Sequence, residues 1–329
     1  MSLHANISIF VPHLGCPKKC SFCNQNSITG QTKAPTAADI DDSVRIAAAS
    51  MGYIAEQTEI AFFGGSFTAI DRAYMCCLLE SAFKYVKSGI VGGIRISTRP
   101  DAIDEEVLDI LKGCGVTAIE LGAQSMDEEV LKLNNRGHSV EDVINASQLI
   151  KSRGFSLGLQ MMTGLYGDTP QKAIATAQKL ISLNPETVRI YPTVILKNTA
   201  LAKLYKDNKY LPQTLQEATD LCAVLLKMFY QAGIKVIRLG LHTIEEADYV
   251  AGPWHPSMRE LCEGKIYLEK ALQTLETAGE YIIYVNKSAV SKMVGQKRCN
   301  IEYLKTLGFD CRVAVDNGLS EFEVITTRV

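Results

Sequence analysis

The apolar run Ile7-Ser8-Ile9-Phe10-Val11, followed after a short gap by Cys16-Pro17-Lys18-Lys19-Cys20-Ser21-Phe22-Cys23, decides how this chain is read. The first segment has the length and composition of a strand, and the second places three thiolates on one loop beyond its end. Thiolates are soft ligands that favour iron–sulfur clusters, zinc or copper(I). The spacing C-x3-C-x2-C supplies three of them. A [4Fe–4S] cluster held in this way keeps one iron without a protein ligand, open to a substrate or cofactor. A structural zinc site normally closes with a fourth ligand. His13, three residues before Cys16, is the local candidate, so Cys3His zinc stays open on this loop alone.

Moving outward, the same strand-then-loop unit recurs. A helix is expected from Pro35-Thr36 to about Gly52, with Ile40, Val44, Ala47 and Ala48 on one side. Further strands are read at Thr58–Phe63, Gly93–Ser97, Thr117–Leu121, Phe155–Gln160 and Val188–Tyr191. Helical segments at Asp71–Lys87, Asp104–Lys112, Asp127–Leu133, Ser139–Arg153 and Thr169–Ser182 separate them. Strands alternating with helices indicate parallel βα units. The expected fold is α/β, a partial six-stranded (β/α)6 TIM-like barrel, with functional loops beyond the C-terminal strand ends. Later segments read as a helix at Leu215–Ala232, an apolar strand at Lys235–Leu239 and a helix at Ser257–Thr277. Gly264 is a weak point in that last helix, costing about 1 kcal/mol of propensity. Tyr281–Val285, helices around Ser288–Met293 and Lys297–Leu307, then Cys311–Val315 and Glu321–Thr326 give a β-α-β-β tail. The division expected is residues 1–240 for the barrel and 241–329 for a helical connection and small α+β extension.

With 329 residues, 47% hydrophobic and 21% charged, the chain has the composition of a globular protein rather than a disordered one. No apolar run reaches the approximately 18 residues of a membrane span. Ten cysteines scattered through apolar segments, with no secretion signal, fit reduced thiols and a cytoplasmic location. A net charge of −2 argues against nucleic-acid binding over the whole surface. A local basic face is a separate matter. Lys287, Lys292, Lys297, Arg298, Lys305 and Arg312 face only Glu302 and Asp310 across 285–312, leaving that stretch at +4.

The cysteine loop and a series of fragments behind it resemble the radical S-adenosylmethionine (SAM) enzymes. Phe63-Gly64-Gly65-Ser66-Phe67-Thr68 is similar to the glycine pair after their second strand. Ser97-Thr98-Arg99-Pro100-Asp101, Glu120-Leu121-Gly122-Ala123-Gln124-Ser125, Asn135-Arg136-Gly137-His138, Gln160-Met161-Met162-Thr163-Gly164-Leu165 and Arg189-Ile190-Tyr191-Pro192-Thr193 follow in order. That order resembles the branch containing the catalytic subunit of Elongator and its microbial relatives, with oxygen-independent coproporphyrinogen oxidases as more distant cousins. The resemblance covers roughly residues 5 to 240.

It implies that Cys16, Cys20 and Cys23 hold a [4Fe–4S] cluster and that SAM chelates the fourth iron. Gly64 and Gly65 are then expected to let the backbone approach the methionine amino group, although a tight turn needs glycines equally. The family's acidic third residue is replaced by Ser66. Arg136 is the expected partner of the SAM carboxylate, where a planar guanidinium offers two aligned donors. Glu120 is read as a counter-ion for the amino or sulfonium end, Gln124 as a ribose or substrate ligand, and Gln160 as a ribose contact or a hydrogen-bond support for a residue that makes one. Met162 and Phe22 are candidates to pack on adenine, with core packing the alternative for each. Arg99 is expected either to bind an anionic substrate group or to pair with Glu120. Tyr191 is a substrate-side candidate for hydrogen-atom donation or positioning, with barrel packing the alternative.

The implied activity is reductive cleavage of SAM to methionine and a 5′-deoxyadenosyl radical, which abstracts hydrogen from a second substrate. It requires ferredoxin or flavodoxin as reductant. In the Elongator-like branch the substrate is tRNA, and an acetyltransferase domain supplies the acyl group. No such segment is read in these 329 residues, so a separate acyltransferase partner is expected if the chemistry is shared. A radical SAM enzyme of a small metabolite, or a non-enzymatic metal-binding module, are the alternatives.

Overall fold

The computed structural model describes residues 5–11, 20–24, 33–50, 52–241 and 244–329. Seven strands form one parallel sheet: β1 (Ala5–Val11), β2 (Thr58–Gly64), β3 (Gly93–Thr98), β4 (Val116–Gln124), β5 (Ser156–Thr163), β6 (Thr187–Pro192) and, after the two-residue β7 (Ile195–Leu196), β8 (Lys235–Leu239). They lie in the order β1-β2-β3-β4-β5-β6-β8. The sheet is curled and open, a partial barrel. All six strands read from the sequence are present, and Lys235–Leu239 joins as a seventh at the open edge.

Two chemically different faces follow from the two-residue period of a strand. Ile7, Ile9, Ile60, Phe62, Ile94, Ile96, Ile119, Leu121, Leu157, Leu159, Val188 and Ile190 point outward to the helices and are buried in one core. Burial of such side chains is worth about 1.5–3 kcal/mol each, so this layer dominates the stability of the fold. The inward residues between them are polar or small: Glu59, Arg95, Ser97, Glu120, Gly122, Gly158, Gln160, Arg189 and Tyr191. Helix ends are set by local chemistry. Thr36, Ser139 and Thr214 each close a capping box with an acidic residue three positions on, satisfying otherwise orphaned amides.

The helix Met258–Thr274 packs on Leu215–Gln231 and carries the tail sheet. In that sheet β10 (Gly279–Val285) pairs parallel with β11 (Phe309–Val315) and antiparallel with β12 (Ile325–Arg328). The short strand β9 (Tyr249–Ala251) pairs with β7. Gly264 has a packing reason that sequence propensity does not show. A Cβ there would stand 3.0 Å from the Lys292 carbonyl, and its own carbonyl accepts from Asn300 Nδ2 at 3.0 Å. The last strand is displaced from the expected Glu321–Thr326. Phe322, at φ 60°, turns its backbone amide to the Tyr267 hydroxyl at 2.9 Å and its ring into the core, so pairing begins only at Ile325.

Candidate active site at the strand ends

Between Cys20 and Cys23 the loop is fastened to the rest of the molecule. Ser21 donates from its amide to the Asn134 carbonyl at 3.1 Å and from Oγ to Asn134 Oδ1 at 2.7 Å. Asn134 is fully buried, and its Nδ2 donates to the carbonyls of Val130 and Tyr166 at 2.8 and 2.9 Å. The Ser21 carbonyl accepts from the Leu201 amide at 2.7 Å. One amide side chain thereby joins the cysteine loop, a helix end and the loop after β5. Neither Ser21 nor Asn134 was singled out from the sequence, where a serine between two cysteines carries no signal of a partner 113 positions away.

Two residues beyond Asn134, the turn formed by Asn135 and Gly137 at positive φ presents Arg136. Its Nη1 donates to Cys20 Sγ at 3.0 Å and its Nη2 to the Gly122 carbonyl at 2.6 Å. Its Nε is buried with no acceptor. Gly122 makes this possible, because a Cβ there would stand 3.4 Å from Arg136 Nη2 and 2.9 Å from Gln124 Nε2. Gln124 sits at φ 64°, past a bulge in the β4–β5 pairing, and its Oε1 is buried without a partner. Bulges re-aim side chains at sheet ends. His138 bonds the Ala123 carbonyl through Nε2 at 3.2 Å and leaves Nδ1 unpartnered. Burial, with the nearby Arg136 charge, pushes its pKa down to about 4, so the ring is neutral near pH 7.

Arg99 and Glu120 do not meet. Arg99 forms a two-point ion pair with Asp101, both bonds 2.7 Å, and donates to the Arg136 carbonyl at 2.9 Å. Its action is on the turn that carries Arg136. Glu120, 1% exposed, accepts from Arg189 at 2.6 and 2.9 Å, from Arg95 at 3.4 Å and from Gln160 at 3.0 Å. Both of its oxygens are committed to buried guanidinium and amide donors, which fasten it into the barrel floor. Gln160 is committed to the same carboxylate. Arg95 also bonds Glu59 at 2.8 Å, and Gly158 leaves room for the Glu120 side chain, which a Cβ would approach to 2.8 Å. Tyr191 stands beside Arg189 and half-buried Met162, its register partner. Burial holds its phenol above the ordinary value.

Gly64, at φ +108°, pairs with Val11, and a Cβ would lie 2.9 Å from the Val11 carbonyl. Gly65 donates to that same carbonyl at 2.8 Å. Gly64 is therefore required by the close approach of β1 and β2, whatever else it contacts. Ser66 bridges to Thr98 Oγ1 at 3.0 Å and accepts from the Arg99 amide at 3.1 Å, a role an acidic side chain would fill differently. Phe22 packs at the edge of the cluster of Ile195, Leu201 and Tyr210, with the Arg136 guanidinium 6.0 Å from its ring centre. Cys16 lies outside the described residues, as does His13. Among the described residues no three His, Cys, Asp or Glu side chains gather as a metal site. Arg95 and Arg189 were missed as partners of Glu120. Their signal was a charged residue between apolar neighbours in strands that parallel sheets usually fill with apolar side chains.

The fold and these strand-end loops define an α/β enzyme of the partial-barrel type. The model of the Radical SAM superfamily matches residues 10–180, and the chain belongs to that superfamily; it is a radical SAM enzyme. The model of the Radical_SAM C-terminal domain matches residues 185–268. The chain is 25% identical over 250 residues to a tRNA uridine(34) acetyltransferase of Dehalococcoides mccartyi, covering 66% of this chain and 54% of that protein. With an uncharacterised protein of Methanocaldococcus jannaschii the identity is 29%, covering 75% and 74%. An archaeal Elp3 structure from Methanocaldococcus infernus, lacking an N-terminal segment, superimposes with a TM-score of 0.67 at 22% identity, covering 81% of this chain and 63% of that one. The chain thus spans about half the length of the Dehalococcoides relative. Among the described residues no helix is long and apolar enough to cross a membrane.

The residues present suit the family's cofactors. Cys20 and Cys23 offer soft sulfur, Arg136 has an unused donor beside Cys20, and Gln124 an unused acceptor on the neighbouring strand end.

Proposed function

We propose that Cys16, Cys20 and Cys23 hold a [4Fe–4S] cluster, that SAM binds against Arg136, Gln124 and Met162, and that the second substrate is an RNA. The observation that carries the cofactor reading is Arg136, which reaches the Cys20 sulfur while keeping a buried Nε unpaired. Bound together, the cluster and SAM supply one-electron cleavage of a C–S bond and a carbon radical for hydrogen abstraction. The chain's own residues orient the participants. Arg136 offers a guanidinium to the SAM carboxylate, and Arg99, held by Asp101, fixes the Arg136 backbone. Gln124 accepts from a ribose hydroxyl or the amino group. Met162 and Tyr191 line the inner face where the target carbon must approach.

An RNA substrate draws support from the Dehalococcoides relative, whose name specifies tRNA uridine. It also draws on the tail, where Lys287, Lys297, Arg298, Lys305 and Arg312 are all exposed. Such side chains position a nucleic acid by phosphate contacts. A small-metabolite substrate is the competing reading. Anaerobic reconstitution should give about four iron and four sulfide per chain, with SAM changing the reduced cluster's EPR signal. A folded protein that takes up one zinc and no iron–sulfur chromophore would remove the cofactor reading. Total tRNA and a metabolite extract, supplied separately with SAM and reductant, should differ in the 5′-deoxyadenosine they elicit. Stimulation by metabolites alone, without salt-sensitive tRNA binding, would overturn the RNA reading.

A further inference from the structure

Among the described residues, the inward face holds one cation that no carboxylate answers. Glu59 and Glu120 are shared between Arg95 and Arg189. Arg238, on β8, has the Gly240 carbonyl as its only acceptor among the described residues, 3.0 Å from Nε. It makes no ion pair with any described residue, and its two terminal nitrogens have no acceptor there.

Its position is built rather than incidental. A bulge in the β6–β8 pairing separates Val188↔Val236 from Arg189↔Arg238. Val236 and Leu239 are buried in the outer core, and the extra residue, Ile237, is what turns Arg238 to the inward face beside Arg189. Without it, Arg238 would share the face of Val236 and meet the helices. Two like charges are brought to neighbouring register positions, yet only Arg189 is neutralised from within the protein. Tyr191, two residues past Arg189 on β6 and so on the same strand face, acts electrostatically on both guanidiniums. Burial depresses the Arg238 pKa, opposed by Tyr191, so a bound anion would relieve a standing electrostatic cost.

We infer that Arg238, with Tyr191, is the seat for an oxyanion of the second substrate, a carboxylate or a phosphate group. A guanidinium with both terminal nitrogens free presents the fork that such groups accept. The inference rests on the reading that this substrate approaches the inner face at the strand ends. It adds a dimension. β8 lies two strands from β5, which carries Met162. At about 4.8 Å per strand, the anion sits roughly 10 Å from the SAM side of the sheet. The target carbon and the anionic group of the substrate are therefore separated by a comparable distance.

The test uses the reconstituted, reduced protein saturated with SAM, so that Arg136 is already engaged. Inorganic phosphate and acetate are titrated separately, followed by paramagnetic broadening of the phosphorus-31 and carbon-13 resonances. At least one anion should show saturable broadening, and which one separates phosphate from carboxylate. R238Q should weaken that binding by about 10-fold or more, the loss of a charge-assisted contact. R238K, keeping charge without the fork, should restore part of it, and the exposed-surface variant R45Q should match wild type. Equal affinity in wild type and R238Q, or no saturable binding of either anion by wild type, would overturn the inference. The SAM-dependent EPR change, recorded on the same samples, reports separately whether the cofactor reading holds.

Discussion

The floor and the rim of the inner face treat their charged and amide groups differently. On the floor, Glu120 is surrounded by Arg189, Arg95 and Gln160, and Arg95 is tied on to Glu59. At the rim, Arg136 Nε, Gln124 Oε1 and His138 Nδ1 are buried with no partner. Leaving a buried polar atom unmade costs about 1–3 kcal/mol. Hydroxyls without a partner occur on the floor too, Ser97 Oγ and Thr187 Oγ1 among them, but its charges are answered from within, whereas at the rim a guanidinium nitrogen, an amide oxygen and an imidazole nitrogen gather beside Cys20 with no partner among the described residues. Buried charge on the floor reads as scaffold, and unspent valence at the rim reads as site.

The largest expected effect breaks the floor. Glu120→Ala strands the buried Arg189 guanidinium, while Arg95 keeps Glu59, and should lower unfolding free energy by about 3–5 kcal/mol, measured by urea denaturation. A variant as stable as wild type with altered SAM affinity would move Glu120 from floor to rim.

His138 gives the next effect. Its folded pKa of about 4 lies below its ordinary 6.5, so the unfolded chain binds more protons between those values. Stability is then fully present above pH 6.5 and is lost as pH falls toward 4, by roughly 3 kcal/mol in all. Asp168 acts in the opposite sense, since burial pushes its pKa up to about 6, and its contribution is lost as pH rises from 3.8 through 6. The comparison of wild type with His138→Gln isolates the histidine. Parallel stability profiles across pH 4–7 would show that the ring titrates normally.

Arg136→Ala should weaken SAM binding by about 10- to 150-fold, corresponding to about 1.5–3 kcal/mol, while iron and sulfide content stay unchanged. Calorimetry showing unaltered affinity would take Arg136 out of the site.

The smallest effect concerns the tie behind the rim. Ser21→Ala removes one buried bond to Asn134 and should cost about 1 kcal/mol. Its sharper readout is the EPR line shape of the reduced cluster, which should broaden as the loop between Cys20 and Cys23 loses its fixed position. An unchanged spectrum would leave the tie without influence on the loop.

Much of the barrel was legible because parallel βα units announce themselves by apolar runs and capped helices. Thr36 and Ser139 mark helix starts by chemistry that acts within four residues. Arg136 was legible through its motif. What escaped were relations between distant residues. Glu120 read as an ionic group free to meet a cofactor, because nothing local reveals that Arg189 arrives on the same face 69 positions later. Arg99 could be placed at a strand end but not paired, since it and Asp101 lie past the last residue of β3, Thr98, where strand alternation no longer says which side chains meet. A short helical turn at Pro100–Ala102 brings the two together. The role of Arg238 depended on a one-residue bulge, which shifts every side chain beyond it and leaves no mark in composition.

The Ser21–Asn134 bond spans 113 positions, and this separation has a consequence for how the protein is made. At about 5–20 residues per second, Ser21 is synthesised roughly 6–23 s before Asn134, and Tyr166 follows later still. Throughout that interval the nascent Cys20 and Cys23 thiols lack the amide that will position their loop. These cysteines thus leave the ribosome well before the residues that fix their loop, and a cluster delivered before β5 is complete would have to be re-seated.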